Sequence, residues 1–141
     1  MTEVKVFYNA GDKLQFACRL ARRAAEENLR LIVFAPDPVI ADQFDRMLWT
    51  FAPLAFVPHV RADHPLAAET PVVIAHDEAG LVHHSALLNL GDEPPAFFSR
   101  FEQLREIVST DEDDKRRARE RIRFYKSRGF EVVHQEVAKA A

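Results

Sequence analysis

Cysteine occurs once in this chain of 141 residues, at Cys18, and glycine only four times, at 11, 80, 91 and 129. A lone cysteine excludes an internal disulfide and suits a reducing cytoplasm. Four scattered glycines leave no glycine-rich loop of the kind that cradles a phosphate. The clearest apolar run, Leu31 to Ala35, is far too short to span a bilayer. The stretch Met1-Thr2-Glu3-Val4-Lys5 lacks the apolar run of a secretory leader. The net charge is only −3, so overall charge does not mark a general coat for DNA. What is present suffices for a core: 48% of the residues are hydrophobic, while 29% are charged and keep the surface wet. The length suits one domain, 1–141, with 138–141 read as a frayed end.

Hydrophobic periodicity alternates between strand and helix along the chain. Val4, Val6 and Tyr8 alternate with Lys5 and Phe7, which predicts a strand at 3–8. Asp12 is placed to cap a helix over 13–27, with Leu14, Cys18, Ala21 and Ala25 as a small-residue face. Residues 30–35 read as a buried central strand. Asp37-Pro38 opens a second helix that runs to Trp49 or Phe51. Short extended segments are expected at 56–59, 72–75, 86–90 and 105–108, and an irregular loop over 60–70. Pro94-Pro95 is read as opening a helix through Leu104 with Phe97, Phe98 and Phe101 inward. A last strand follows at 131–134. This order predicts an α/β domain with a mostly parallel sheet.

Catalytic chemistry is weakly signalled. The first strand-to-helix turn, Asn9-Ala10-Gly11-Asp12-Lys13, has one glycine and an acid where a phosphate would sit. Of the histidines at 59, 64, 76, 83, 84 and 134, adjacent His83 and His84 would face opposite ways on a strand, and His59 and His64, with Asp63 nearby, could chelate a metal but read first as solvated loop residues. Cys18, in mid-helix on the small-residue face, reads as a buried thiol and not a nucleophile. No cofactor, metal or catalytic residue is assigned. A small enzyme or nucleotide-binding domain stays open as the alternative to a binding module.

The stretch from Glu106 to Phe130 is the best specified. Acids at 111–114 precede eight bases, Lys115, Arg116, Arg117, Arg119, Arg121, Arg123, Lys126 and Arg128, and Gly129-Phe130 closes it. Acids first and bases later complement a helix dipole over 111–128. Ser109 and Glu112 have capping-box spacing, and Gly129 suits a helix stop onto which Phe130 folds back. Ala118, Ile122 and Tyr125 are read as the inward stripe, with the bases outside. Lys115, Arg119, Ile122 and Lys126 then line one border of that stripe. Three readings share these residues. The bases solvate an amphipathic helix, or the border holds an acidic peptide with an apolar anchor and a free carboxylate, or the helix follows a nucleic-acid backbone. The acidic first turn opposes the last.

Three segments carry a family resemblance: Lys5-Val6-Phe7-Tyr8; Met47-Leu48-Trp49 with Phe56-Val57-Pro58-His59 and Pro71-Val72-Val73-Ile74-Ala75; and Ala118-Arg119-Glu120-Arg121 with Tyr125-Lys126 and Gly129-Phe130. In order and spacing the chain resembles the chi subunit of the bacterial DNA polymerase III holoenzyme, a clamp-loader accessory protein. The resemblance implies a single Rossmann-like α/β domain without catalytic activity, in the bacterial cytoplasm at the replisome. It implies two partners, the acidic C-terminal tail of single-stranded DNA-binding protein and the psi subunit or an equivalent clamp-loader component, and contact with nucleic acid only through them. Carried over by position, the tail site uses Val108, Lys115, Arg119 and Ile122, with Gly129 shaping its end. The psi-facing surface includes Trp49, Phe56 and Pro58. Two departures stand out: Ile122 occupies a position where the family has an aromatic residue, and Ser109-Thr110-Asp111 follows Val108 where the family pattern begins with proline.

Overall fold

In the computed structural model, which describes residues 1–50 and 57–139, seven strands form one sheet in which every pairing is parallel. The strands are β1 (Glu3–Ala10), β2 (Leu31–Phe34), β3 (His59–Arg61), β4 (Val72–Ala75), β5 (Ala86–Asn89), β6 (Gln103–Ser109) and β7 (Val132–Glu136). Three α-helices occur among the described residues: α1 (Lys13–Glu26), α2 (Pro38–Thr50) and α3 (Glu112–Ser127). The sheet order is β3-β4-β2-β5-β6-β1-β7.

That order explains why the helices separate. The chain moves one way across the sheet from β1 through α1 to β2 and through α2 to β3. It then moves the other way through β4, β5, β6 and α3 to β7. Right-handed crossovers running in opposite directions must lie on opposite faces. Accordingly α1 and α2 pack with Phe7, Leu31, Val33 and Ile107. Tyr125 of α3 and the 97–101 phenylalanines pack with Val4, Ile32, Leu87 and Leu104 on the other face. The central strands β2, β4 and β5 are apolar on both sides for this reason.

The capping expectations at α1 and α2 hold. Asp12 accepts from the Gln15 amide at 3.0 Å, and Asp37 from the Val39 amide at 2.9 Å. Cys18 is fully buried, and burial, then the charge of Asp12, push its thiol up to about 12. The expected helix from Pro94 to Leu104 does not form. Only Phe98–Arg100 makes a 3-10 turn, and β6 begins at Gln103, two residues earlier than the sequence pattern placed it. Three phenylalanines take over this segment. Phe97 meets Phe34 at 5.0 Å, Phe98 meets Tyr125 and Phe130 at 4.9 Å each, and Phe101 meets Phe97 at 6.3 Å. Gln103 and Leu104 are held by β1 and β5, and these tertiary pairings override the local helical pattern. Of the extended segment expected at 56–59, residue 56 lies outside the described residues and the strand forms at His59–Arg61, while 67–69 makes a 3-10 turn inside the expected loop. At the other end Val137–Lys139 turns once, with Val137 packed on the core.

One buried network fixes α3 on the sheet. Arg121, 2% exposed, pairs with Glu106, 1% exposed, at 3.1 Å. The Tyr125 hydroxyl donates to Glu106 at 2.5 Å, and Asn89 of β5 donates to it at 2.9 Å. Burial, then the Glu106 charge and hydrogen bond, push the Tyr125 phenol well above its ordinary value. The expectation that all the bases lie outside is thus corrected at Arg121. It shares the inward stripe with Ala118 and Tyr125 because Glu106, between Leu104 and Val108 on one face of β6, needs a cation. Arg121→Leu is expected to lower unfolding free energy by about 3–5 kcal/mol, because it strands a buried carboxylate. Urea unfolding checks this, with exposed Arg116→Leu as the control expected within about 0.5 kcal/mol of wild type.

Candidate functional site

The start of α3 is built by a different device from the expected capping box. Asp111 is the N-cap, and its carboxylate accepts from the Asp114 amide at 3.0 Å. Ser109 instead donates its amide and its hydroxyl to Asp114, each at 2.8 Å. Lys13 of α1 reaches Asp114 at 2.9 Å. Asp114 is buried and binds the end of β6 to both helices. The end of α3 matches expectation. Gly129 has φ +87, its amide donates to Lys126 at 3.0 Å, and the Phe130 amide donates back to Tyr125 at 3.1 Å.

Between these two ends lies the border singled out in the sequence. Val108 packs with Val6 and Ala118, and Ile122 and Val132 close over that cluster. This makes a small apolar patch between α3, β6, β1 and β7. Lys115 stands beside it, 3.5 Å from the mostly exposed Glu112. Arg119 is exposed and has no ion-pair partner among the described residues. Val108, Lys115, Arg119 and Ile122 therefore share one border. Gly129 lies past the far end of α3, about 20 Å along the axis from Lys115. The sequence reading assigned neither Tyr8 nor His134 to this border. Their register puts them on the α3 face of the sheet, since Val6 pairs with His134 and Tyr8 with Glu136. The alternation of Val4, Val6 and Tyr8 along β1 was the available signal.

The second candidate surface lies at the opposite edge of the sheet. Trp49 is 60% exposed, and its ring meets His59 edge-on at 5.1 Å. Pro58 is exposed next to it, whereas Val57 is buried. Phe56 lies outside the described residues. The site is stiffened from below. His59 lies 2.9 Å from Asp45, and Arg61 donates to Asp45 at 3.0 Å and Asp42 at 2.9 Å. These contacts fasten β3 to α2. At the first strand-to-helix turn the Asp12 carboxylate already occupies the N-terminus of α1, where a phosphate would have to bind.

Asp114 gives the start of α3 a dependence on pH. Burial alone would push its carboxyl up, but the Ser109 amide, the Lys13 charge and the side-chain bonds from Lys13 and Ser109 hold it below the ordinary 3.8. A carboxyl depressed by folding contributes its full stability above its unfolded value and loses it as pH falls through the folded one. Wild type should therefore be more stable than Asp114→Asn at neutral pH. The gap should close as the medium is taken from about pH 6 to about pH 2. Urea midpoints measured across that range check the sign, and a gap that widens in acid contradicts it.

Comparison with known proteins bears on this geometry. The family model described as DNA polymerase III chi subunit, HolC, matches residues 1–133. The chain is 33% identical over 118 residues to DNA polymerase III subunit chi of Pseudomonas aeruginosa, covering 84% of this chain and 82% of that one. It is 27% identical over 124 residues to the subunit of the same name from Haemophilus influenzae, covering 87% and 86%. The Escherichia coli subunit is 26% identical over 119 residues, with 84% and 81% covered. The match spans all seven strand starts and the whole of α3, and the chain belongs to the DNA polymerase III chi subunit family.

Proposed function

We propose that this chain is a single-domain, non-catalytic adaptor of the bacterial replisome. One surface takes the acidic C-terminal tail of single-stranded DNA-binding protein. The other takes psi or an equivalent clamp-loader component. The observation that carries the reading is the α3 border, where an exposed guanidinium, Arg119, without an ion-pair partner among the described residues, stands one turn from the apolar patch of Val108 and Ile122. Such a border suits a peptide that ends in an apolar residue and a free carboxylate. Arg119 holds the carboxylate with its planar fork, Lys115 and Lys126 attract the acidic stretch, and Ile122 and Val108 receive the apolar anchor. Gly129 shapes the far end of the same border. Exposed Trp49 with Pro58 and Phe56 forms the clamp-loader-facing surface, because large exposed aromatics serve as interface anchors. The protein acts in the cytoplasm and meets nucleic acid through its partners.

Arg119→Ala should weaken binding of a labelled tail peptide by about thirtyfold, corresponding to ~2 kcal/mol. Amidating the peptide's C-terminus should weaken it on wild type and matter little on the variant. Fluorescence anisotropy reads both, and equal affinities for wild type and variant would retire the assignment. Trp49→Ala, at a 60% exposed position, should leave the melting temperature within a few degrees of wild type. It should also abolish co-purification with the clamp-loader partner. A large fall in melting temperature with retained co-purification would make Trp49 a packing residue instead.

A further inference from the structure

Val6 and Val108, which floor the apolar patch beside α3, are 1% and 8% exposed and offer a ligand almost no surface. Tyr8, the next residue of β1 on the same face, is 37% exposed. Its place in the fold puts the ring at the tail border. On the β7 side it stands opposite Glu136, in step with the Val6–His134 pair. On the β6 side the pairing moves from Phe7–Ile107 to Ala10–Ser109, so Tyr8 and Asn9 share Val108 as their neighbour. Asn9 absorbs the extra residue in the left-handed region, at φ 64, which leaves Tyr8 in the alternation of the strand. Along α3, Tyr125 packs at the level of Val4 and Ala118 at the level of Val6, so the turn that carries Lys115 reaches the level of Tyr8. The side chain is unclaimed: among the described residues Tyr8 has no stacked ring, no cation over its face and no hydrogen-bond partner.

The surroundings decide what the ring takes. Lys115 and Arg119 draw the acids of a peptide to the helix side. Glu136, which accepts from the Asn9 side-chain amide at 3.5 Å, repels them on the β7 side. The ring between is left for an uncharged, apolar side chain. We propose that Tyr8 is the accessible face of the apolar socket of the tail site. The peptide's anchor packs on its ring and against Ile122 and Val132, with Val6 and Val108 beneath. The inference rests on the tail reading and adds to it the residue that offers the largest exposed apolar surface at that border.

Titration of the labelled tail peptide against the full chain tests it. Tyr8→Ala should weaken binding about tenfold. Tyr8→Phe should stay within about twofold of wild type, because the ring and not the hydroxyl makes the contact. Amidating the peptide's C-terminus should still weaken its binding to Tyr8→Ala, since Arg119 is untouched. Tyr8 is exposed, so melting temperatures should stay at the wild-type value. If Tyr8→Ala melts lower, contact is read directly from Tyr8→Trp in the Trp49→Phe chain, whose emission should shift to shorter wavelength and saturate with added peptide. Wild-type affinity in Tyr8→Ala, equal losses in Tyr8→Ala and Tyr8→Phe, or emission that the peptide leaves unchanged each overturns the proposal. If Arg119→Ala weakens binding while Tyr8→Ala does not, the tail reading survives and this inference fails; if neither weakens it, both fail.

Discussion

An ion pair with almost no access to water, Glu106 with Arg121, joins the middle of the sheet to the middle of α3. Removing two charges from water costs several kcal/mol per ion, and attraction offsets that cost only when the remaining lone pairs are also satisfied. Here the Tyr125 hydroxyl and Asn89 complete the shell of Glu106, while Arg121 also reaches the Asp92 carbonyl. Four segments are thereby locked together: β6, α3, the end of β5 and the loop after it. The rotation of α3 about its own axis follows. With Arg121 and Tyr125 inward, Arg119 and Ile122 must lie toward β7 and Arg117 and Phe124 toward the 92–96 loop. Both borders of α3 are set by this one contact.

The helix and its C-cap Arg128 carry eight bases, but the count overstates their free positive charge. Arg121 is engaged by Glu106, Arg117 by Asp92, Arg116 by Asp113 at 3.4 Å, and Lys115 by Glu112. The last two are exposed pairs one turn apart, worth well under about 1 kcal/mol, and an incoming acidic ligand displaces them easily. Arg119, Arg123, Lys126 and Arg128 have no ion-pair partner among the described residues, and Arg128 stands 4.9 Å over the Phe124 ring. Arg119 and Lys126 of these fall on the border beside Ile122. Two of the four cations without an ion pair thus stand beside the apolar patch.

Much of this was legible in the sequence because it is local. The caps at Asp12 and Asp37, the glycine stop at Gly129 and the alternation of β1 each depend on a few neighbouring residues. The α/β pattern was readable for the same reason. What was not legible depends on distant pairings. The phenylalanines at 97, 98 and 101 look helical by spacing, yet each is claimed by a different partner across the sheet face. Arg121 looked like one more surface base because its carboxylate lies fifteen residues away, on another element. The capping box at Ser109 failed because Asp111 supplies a better-placed oxygen and Lys13, far off in sequence, draws Asp114 inward. Of the site residues, Lys115, Arg119 and Ile122 could be placed on one border from helix periodicity, whereas Val108 came only from the family resemblance. The exposure of Trp49 could not be read, since a large aromatic near a helix end packs inward as often as not.

The acidic first turn of α3 then takes on two roles. Asp111 and Asp114 are structural, one as the cap and one as the buried anchor for Lys13 and Ser109. Glu112 and Asp113 point outward and neutralise the nearest bases. Together they place a negative end on a positive helix, which complements the helix dipole and costs nothing in the fold. A nucleic-acid backbone, with evenly spaced phosphates, would have to cross that end as it followed the helix. A short peptide whose charge is confined to one stretch need only contact the positive portion. On the proposed reading, the order of acids and bases along α3 thus favours a peptide tail over a phosphate backbone, and it does so through residues the helix already needs in order to start.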